Sequence, residues 1–233
     1  MANSNCFIGT TWNKTDELGP EDLTPYWVIH TSPDNAEMGY NTAKAMFESF
    51  GGEGEIFVVE GQLGNTANSG RVEGLEKALA ENPGVKVAAR DATDWEMTKA
   101  LSKVETWLTQ YPDVKGVWCA NDDTALGALQ ALKNAGLNGK VGVTGIDALD
   151  EVVREIGEGN ITATCAANGP LQGSYTLAIC YAAWTGQLDV AALPHEYREF
   201  ATTMQLVTAD NVDDYINSKP TFDFSKPFSC KAD

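Results

Sequence analysis

Short apolar runs alternate with helix-period segments along nearly the whole chain, and this alternation restricts the fold more than any other feature. The runs read as strands are Cys6–Thr11, Tyr26–Thr31, Glu55–Glu60, Val85–Ala89, Val114–Ala120, Val141–Gly145, Ile161–Ala166 and Thr202–Val207. The clearest helical pattern covers Trp95–Gln110, with Met97, Ala100, Leu101, Val104, Trp107 and Leu108 on one face and Asp94 placed to cap its start. Another follows SPDNAE, where Asp34 and Glu37 have capping-box spacing, and continues through Tyr40, Ala43, Phe47 and Phe50. A third runs through Val72, Leu75, Ala78 and Leu79. Strands alternating with helices of this length predict an α/β fold: a doubly wound, mainly parallel sheet with helices on both faces.

The segment Pro170–Trp184 is apolar around nearly its whole circumference, a pattern that calls for burial on most sides. After Gly186 come a strand-like TTMQLVT, a short helix over Asn211–Ile216 and an aperiodic FDFSKPFSCKAD.

The 233 residues can bury a sizeable core. Sixteen basic against 33 acidic residues leave a net charge of −17, which argues against nucleic acid and anionic membrane surfaces as partners. No CxxC pair occurs among five cysteines and only two histidines are present, so no zinc site is read. Cys119, Cys165 and Cys180 read as small core residues, and Cys6 and Cys230 are candidates for joint oxidation in an exporting compartment. The opening MANSNCFIGT lacks a charged n-region and a long apolar stretch, so no signal segment is read there.

In an open parallel sheet, ligands sit beyond the carboxyl ends of the strands. The residues that follow the strands here are Trp12, Asn13 and Lys14; the loop GQLGNTANSGR, which delivers Arg71; RDATDW, which delivers Trp95; Asn121 and Asp122; Ile146 and Asp147; and Ala167 and Asn168. Such a set suits neutral polyols. Aspartate accepts from hydroxyls, arginine and lysine donate, asparagine does both, and an indole covers the C–H face of a sugar ring. No Ser/His/Asp or Cys/His arrangement, GxxxxGK or GxGxxG is found, and no cofactor is expected. His30 and His195 read as structural. At the junction CANDD, Asp123 or Asp122 reads as the helix N-cap, with Asn121 aimed at the crevice.

These motifs carry a resemblance. CANDDTALGALQAL after a strand, PDVKGVW leading into it, GVTGIDAL one βα unit later, GNTANSGRVEGLEKAL and TTWNK together resemble the periplasmic sugar-binding proteins of ABC importers, in the ribose- and galactose-receptor branch of the type I solute-binding fold. The resemblance implies that Arg71, Asn121 and Asp147 meet sugar hydroxyls and that Trp95 stacks. Asn13 and Lys14 stand where the family usually has Asp and Arg, so a different hydroxyl pattern is implied there. Ala167 aligns with a common glutamine, with Asn168 as its substitute.

The resemblance further implies a complete second lobe over residues 34–167 and 198–233, with 1–33 and 168–197 as a remnant of the first. On that basis the polypeptide is expected to be an N-terminally truncated receptor with impaired sugar binding, and self-association through its incompletely covered lobe is expected with it. It also implies an extracytoplasmic location and an ABC permease as membrane partner. Two alternatives stay open at this level. One is the effector-binding core of a lactose-repressor-type regulator. The other is an α/β sugar-processing enzyme using Asp147 with Lys14 or Arg71.

Overall fold

A computed structural model of the chain describes residues 6–15 and 17–218. The predicted alternation appears as nine strands and seven α-helices among the described residues. Strands β1 (Ile8–Thr11), β2 (Trp27–Pro33) and β8 (Glu199–Thr202) form a parallel three-stranded sheet in the order β1-β2-β8. A six-stranded sheet has the order β4-β3-β5-β6-β7-β9, made by β3 (Gly54–Glu60), β4 (Val85–Ala92), β5 (Gly116–Cys119), β6 (Gly142–Thr144), β7 (Ala163–Ala166) and β9 (Gln205–Thr208). Only the β7–β9 pairing in it is antiparallel.

Helices cover both faces of the larger sheet, as a doubly wound fold requires. On one face, α1 (Asn35–Ser49) and α2 (Thr66–Glu81) bury Ala43, Met46, Phe47, Leu75 and Ala78 against Ile56, Val58 and Trp118. On the other, α3 (Met97–Gln110), α4 (Asp122–Ala135) and α5 (Asp150–Gly157) enclose Phe57, Val59, Val117, Cys119 and Val143, joined by Val212 of α7 (Val212–Ser218). The α1–α2 approach is close enough that a Cβ on Gly39 or Gly74 would lie 1.9 or 2.0 Å from a backbone oxygen of the facing helix. No helix of the described residues is long and apolar enough to cross a membrane.

The chain passes between the sheets three times: after β2, after β7, and between β8 and β9. The strand expected over Thr202–Val207 is therefore two strands in different sheets, and the last crossing lies at 203–204 instead of the expected 197/198 boundary. Thr202 pairs with β2 through Pro33, whereas Gln205 pairs with Ala166 of β7.

Helix α6 (Gly169–Trp184) packs on β1 and β2 through residues such as Ile179, Cys180 and Ala183. The burial expected on most sides is not found. Tyr175, Leu177, Tyr181 and Trp184 are exposed. Cys119 and Cys165 are buried as expected of core residues, Cys180 is half-buried and Cys6 exposed; Cys230 lies outside the described residues.

Local capping departs from the sequence reading twice. Asp34 caps α1, accepting from Glu37 N at 2.9 Å. Asp94, however, does not cap α3: the chain turns through left-handed backbone at Asp94 and Trp95, and the helix starts at Met97. At the CANDD junction the cap is Asn121, whose Oδ1 accepts from Thr124 N at 3.1 Å, while Asp122 is buried inside the first turn.

Candidate functional site

The order β4-β3-β5 places a topological switch point between β3 and β5: the connection from β3 runs to one side and that from β4 returns to the other. Loops diverge there and leave a crevice at the strand tips. Arg71, one turn into the helix after β3, reaches across it. Its Nη1 donates to the carbonyl of Ala120 at the tip of β5 (2.7 Å), its Nε to Asn35 Oδ1 (3.3 Å) and its Nη2 to Asp147 Oδ1 (3.4 Å). The guanidinium also lies 5.5 Å from the ring centroids of both Trp12 and Trp95, held between two indoles.

Around this arginine opens a hollow of about 440 Å³. Asn13, Arg71, Trp95, Asn121 and Asp147 all line it, so five of the seven sequence-predicted residues come together. Trp12 lines it too, as do Asn65 and Leu149. Trp12, the first residue past β1, stands in the strand-tip set, although the resemblance assigns the stacking role to Trp95 alone. Asn35, a ligand of the guanidinium, carried no signal beyond its place at a helix start.

Several lining residues have unusual backbones. Trp12 (φ 72°), Trp95 (φ 67°) and Asp147 (φ 126°) all occupy the region disfavoured for side chains with a Cβ. Strained non-glycine residues concentrate where side chains must be aimed rather than merely packed. Trp95 additionally needs Gly61 beneath it, since a Cβ there would lie 2.3 Å from its ring.

Two predicted residues are not in the hollow. Lys14 opens onto an adjacent recess of about 310 Å³, where its Nζ sits 3.1 Å from Glu199 Oε1; Trp12 borders both spaces. Lys14 and Asp147 are therefore not brought together as an acid–base pair, because Glu199 of β8 holds the ammonium. Asn168 adopts left-handed backbone (φ 50°) at the start of α6 and lines a separate recess with Thr203, Met204 and Gln205. Ala167, Gly169 and Pro170 take its place along the hollow. Asn13 does line the hollow, while its Oδ1 ties the small sheet to α2 by accepting from Thr66 Oγ1 (2.9 Å) and Ala67 N (3.2 Å).

The electrostatics are those of a desolvated polar cluster. Burial pulls the Arg71 guanidinium below its ordinary value, opposed by the Asp147 and Asp122 carboxylates. Burial also pushes the Asp147 carboxyl up, to about 6, against the lowering effect of Arg71. His30, in the adjacent recess, is lowered chiefly by burial, and its Nδ1 lies 2.8 Å from Thr10 Oγ1. Such an arrangement offers fixed donors, acceptors and two indole faces to a small polar guest.

Known proteins resemble this chain in sequence and in fold. The xylitol-binding protein of Mycolicibacterium smegmatis is 34% identical over 191 residues, which cover 82% of this chain and 52% of that protein. The crystal structure of a twin-arginine translocation pathway signal protein from Burkholderia phytofirmans matches with a TM-score of 0.90 at 34% identity, over 93% of this chain and 67% of that one. An ABC transporter periplasmic solute binding protein from Actinobacillus succinogenes with bound D-allose matches with a TM-score of 0.79 at 26% identity, over 88% and 70%. The chain spans about half the length of curated relatives that it matches. The family model for the periplasmic binding protein domain matches residues 22–188, well over half of the sequence, and the chain therefore belongs to the periplasmic binding protein family.

Proposed function

We propose that this chain is the ligand-gripping part of an extracytoplasmic receptor that binds a monosaccharide or related polyol, without catalysis, and presents it to an ABC permease. The observation that carries this reading is the guanidinium of Arg71 held between two indoles and ion-paired to Asp147 at the strand-tip crevice. Arg71 and Asn121 would donate to sugar oxygens, Asp147 would accept from hydroxyls, and Trp95 and Trp12 would cover the C–H faces of the guest. Asn13 would contribute from the small sheet. A family of periplasmic binding proteins supports the extracytoplasmic location, and relatives of xylitol- and allose-binding type support a neutral polyhydroxy ligand.

The two sheets are the two jaws of this grip: residues 34–167 with β9 and α7 form one lobe, and β1, β2, β8 and α6 belong to the other. Closure follows because a ligand that touches both lobes binds the closed arrangement more tightly than the open one. The hollow is open to solvent, and the polypeptide alone is expected to bind at about millimolar strength, near −4 kcal/mol. Self-association through the exposed Leu177, Tyr181 and Trp184 of α6 belongs to the same reading. Sedimentation velocity returning a monomer at every concentration removes that element of it.

Saturation-transfer NMR across pentoses, hexoses and alditols tests the ligand class. Transfer to one or more neutral polyols, competed by a second and lost on Arg71→Met, is expected. Transfer to none, or transfer indifferent to Arg71→Met, contradicts the assignment.

A further inference from the structure

The loop that presents Asp147 runs through two consecutive left-handed residues, Asp147 (φ 126°) and Ala148 (φ 56°). Backbone of this kind relaxes unless its surroundings over-determine it. The constraint comes from Asp122, a fully buried residue at the start of α4 that does not line the hollow. Its Oδ2 accepts from Leu149 N at 2.7 Å, and its Oδ1 accepts from Thr164 Oγ1 of β7 at 2.7 Å. Thr164 Oγ1 in turn accepts from Ala148 N at 3.2 Å, and Asp122 N donates to the carbonyl of Ile146 at 2.9 Å. Asp122 thus fastens residues 146 and 149 directly, and 148 through Thr164, on both sides of Asp147. The fit leaves no slack: a Cβ on Gly145 would stand 2.2 Å from Asp122 Oδ1.

We propose that Asp122 is the positioning residue of the polyol site, its buried carboxylate clamping the 146–149 loop in the shape that aims Asp147 at Arg71. This rests on the function proposed above for the hollow and adds a dependence on pH. Burial pushes the Asp122 carboxyl up to about 7, against the lowering effect of its bonds to Thr164 and Leu149. The titratable groups that face it are Asp147 from the clamped loop, Arg71 from α2, and the Cys119 and Cys165 thiols of β5 and β7, both raised by burial. When protonated, the carboxyl is no longer a charged acceptor, so the bonds it accepts from Leu149 N and Thr164 Oγ1 lose their charge-assisted strength and the clamp loosens. The aimed state of Asp147 therefore belongs to the alkaline side of neutrality.

NMR of the free protein decides the matter without a ligand. The Asp147 carboxyl carbon and the Trp12 and Trp95 indole N–H signals are followed from acid to alkaline pH in the wild type, Asp122→Asn and Thr164→Val. The wild type is expected to show a step near neutrality in the indole signals. Asp122→Asn should remove the part of that step centred near 7 and leave the part that follows Asp147, near 6, and Thr164→Val, which removes two clamp bonds without changing charge, should shift the same signals at alkaline pH. Spectra of both variants that overlay the wild type throughout, with only the melting temperature altered, would reduce Asp122 to a helix-start residue and overturn the proposal. If Asp122→Asn fails to fold, Thr164→Val alone carries the test. A titration with xylitol is then added, and about tenfold weaker binding by the clamp variants is expected, a typical coupling between linked sites. A wild type that binds no polyol removes the functional reading, while the free-protein spectra still decide the clamp.

Discussion

Adding a single methyl group beneath Trp95 tests whether the site is held as tightly as its geometry implies. In Gly61→Ala the new Cβ would lie 2.3 Å from Cη2 and Cζ3 of the indole and 2.5 Å from Cε3. Carbon atoms rest at about 3.5–4.0 Å, so the ring must retreat by more than 1 Å. Trp95 cannot slide freely, because its own backbone is already left-handed and its ring faces the Arg71 guanidinium. Overpacking of this kind costs about 1–3 kcal/mol, and weakening the cation–π contact adds about 0.5–1 kcal/mol. Gly61 has no left-handed backbone of its own, so strain at the mutated residue does not confuse the result. A loss near 2 kcal/mol lowers the melting temperature of a chain this size by about 4–8 °C. Circular dichroism measures that shift, and the Trp95 indole signal reports the displaced ring. Trp95→Phe in the same chain shortens the ring and should recover part of the loss. A melting temperature unchanged within a degree, with an unmoved Trp95 signal, would refute the reasoning.

Arg71→Met strands the Ala120 carbonyl and leaves the Asp147 carboxylate without its cation. The cation is buried but Asp147 is only half-buried, so the cost lies below the roughly 3–5 kcal/mol of a fully buried pair, at about 2–3 kcal/mol, readable as a lowered urea midpoint, and a loss below about 1 kcal/mol contradicts the burial argument. Stability should also fall as pH rises from about 4 through 7. Asp122 is raised from 3.8 to about 7 in the folded protein, so its contribution is full below the unfolded value and is lost on ionisation, with an upper bound of about 4 kcal/mol. Asp147, raised to about 6, has the same sign. Urea melts across pH measure the slope, which Asp122→Asn should flatten; a slope of opposite sign counts against the assignment. Glu199→Gln releases the Lys14 ammonium at a stability cost under about 1 kcal/mol. Competition titrations should then show gluconate gaining affinity relative to glucitol, and an unchanged ratio means that Lys14 stays out of reach of the ligand.

The fold was legible because apolar period and segment length are local properties, and the strand-tip rule turns element order into a list of candidate ligands. Arg71, Trp95, Asn121 and Asp147 entered that list this way, Arg71 from the start of the helix after its strand and the other three from the loop or helix start directly after theirs. What escaped notice depends on distant or backbone-level events. Glu199 captures Lys14 from 185 residues away, which no local pattern announces. Asn168 has a suitable side chain, but a left-handed backbone at the start of α6 sends it to another recess. Three polar residues at CANDD are equally good caps on paper. Burial separated them, sealing Asp122 inside and leaving the capping to Asn121, which also lines the hollow. The circumferential apolarity of α6 suggested burial, and Leu177, Tyr181 and Trp184 show that sequence alone does not say what covers a helix.

The most direct test of the central claim is a titration of isotope-labelled protein with xylitol and D-allose, following all six indole N–H signals. A polyol seated in the strand-tip hollow should move the Trp12 and Trp95 signals saturably, leave that of the fully buried Trp118 unchanged, and lose its effect in Arg71→Met. Signals of Trp12 and Trp95 that stay fixed while binding is detected elsewhere on the protein would contradict the account.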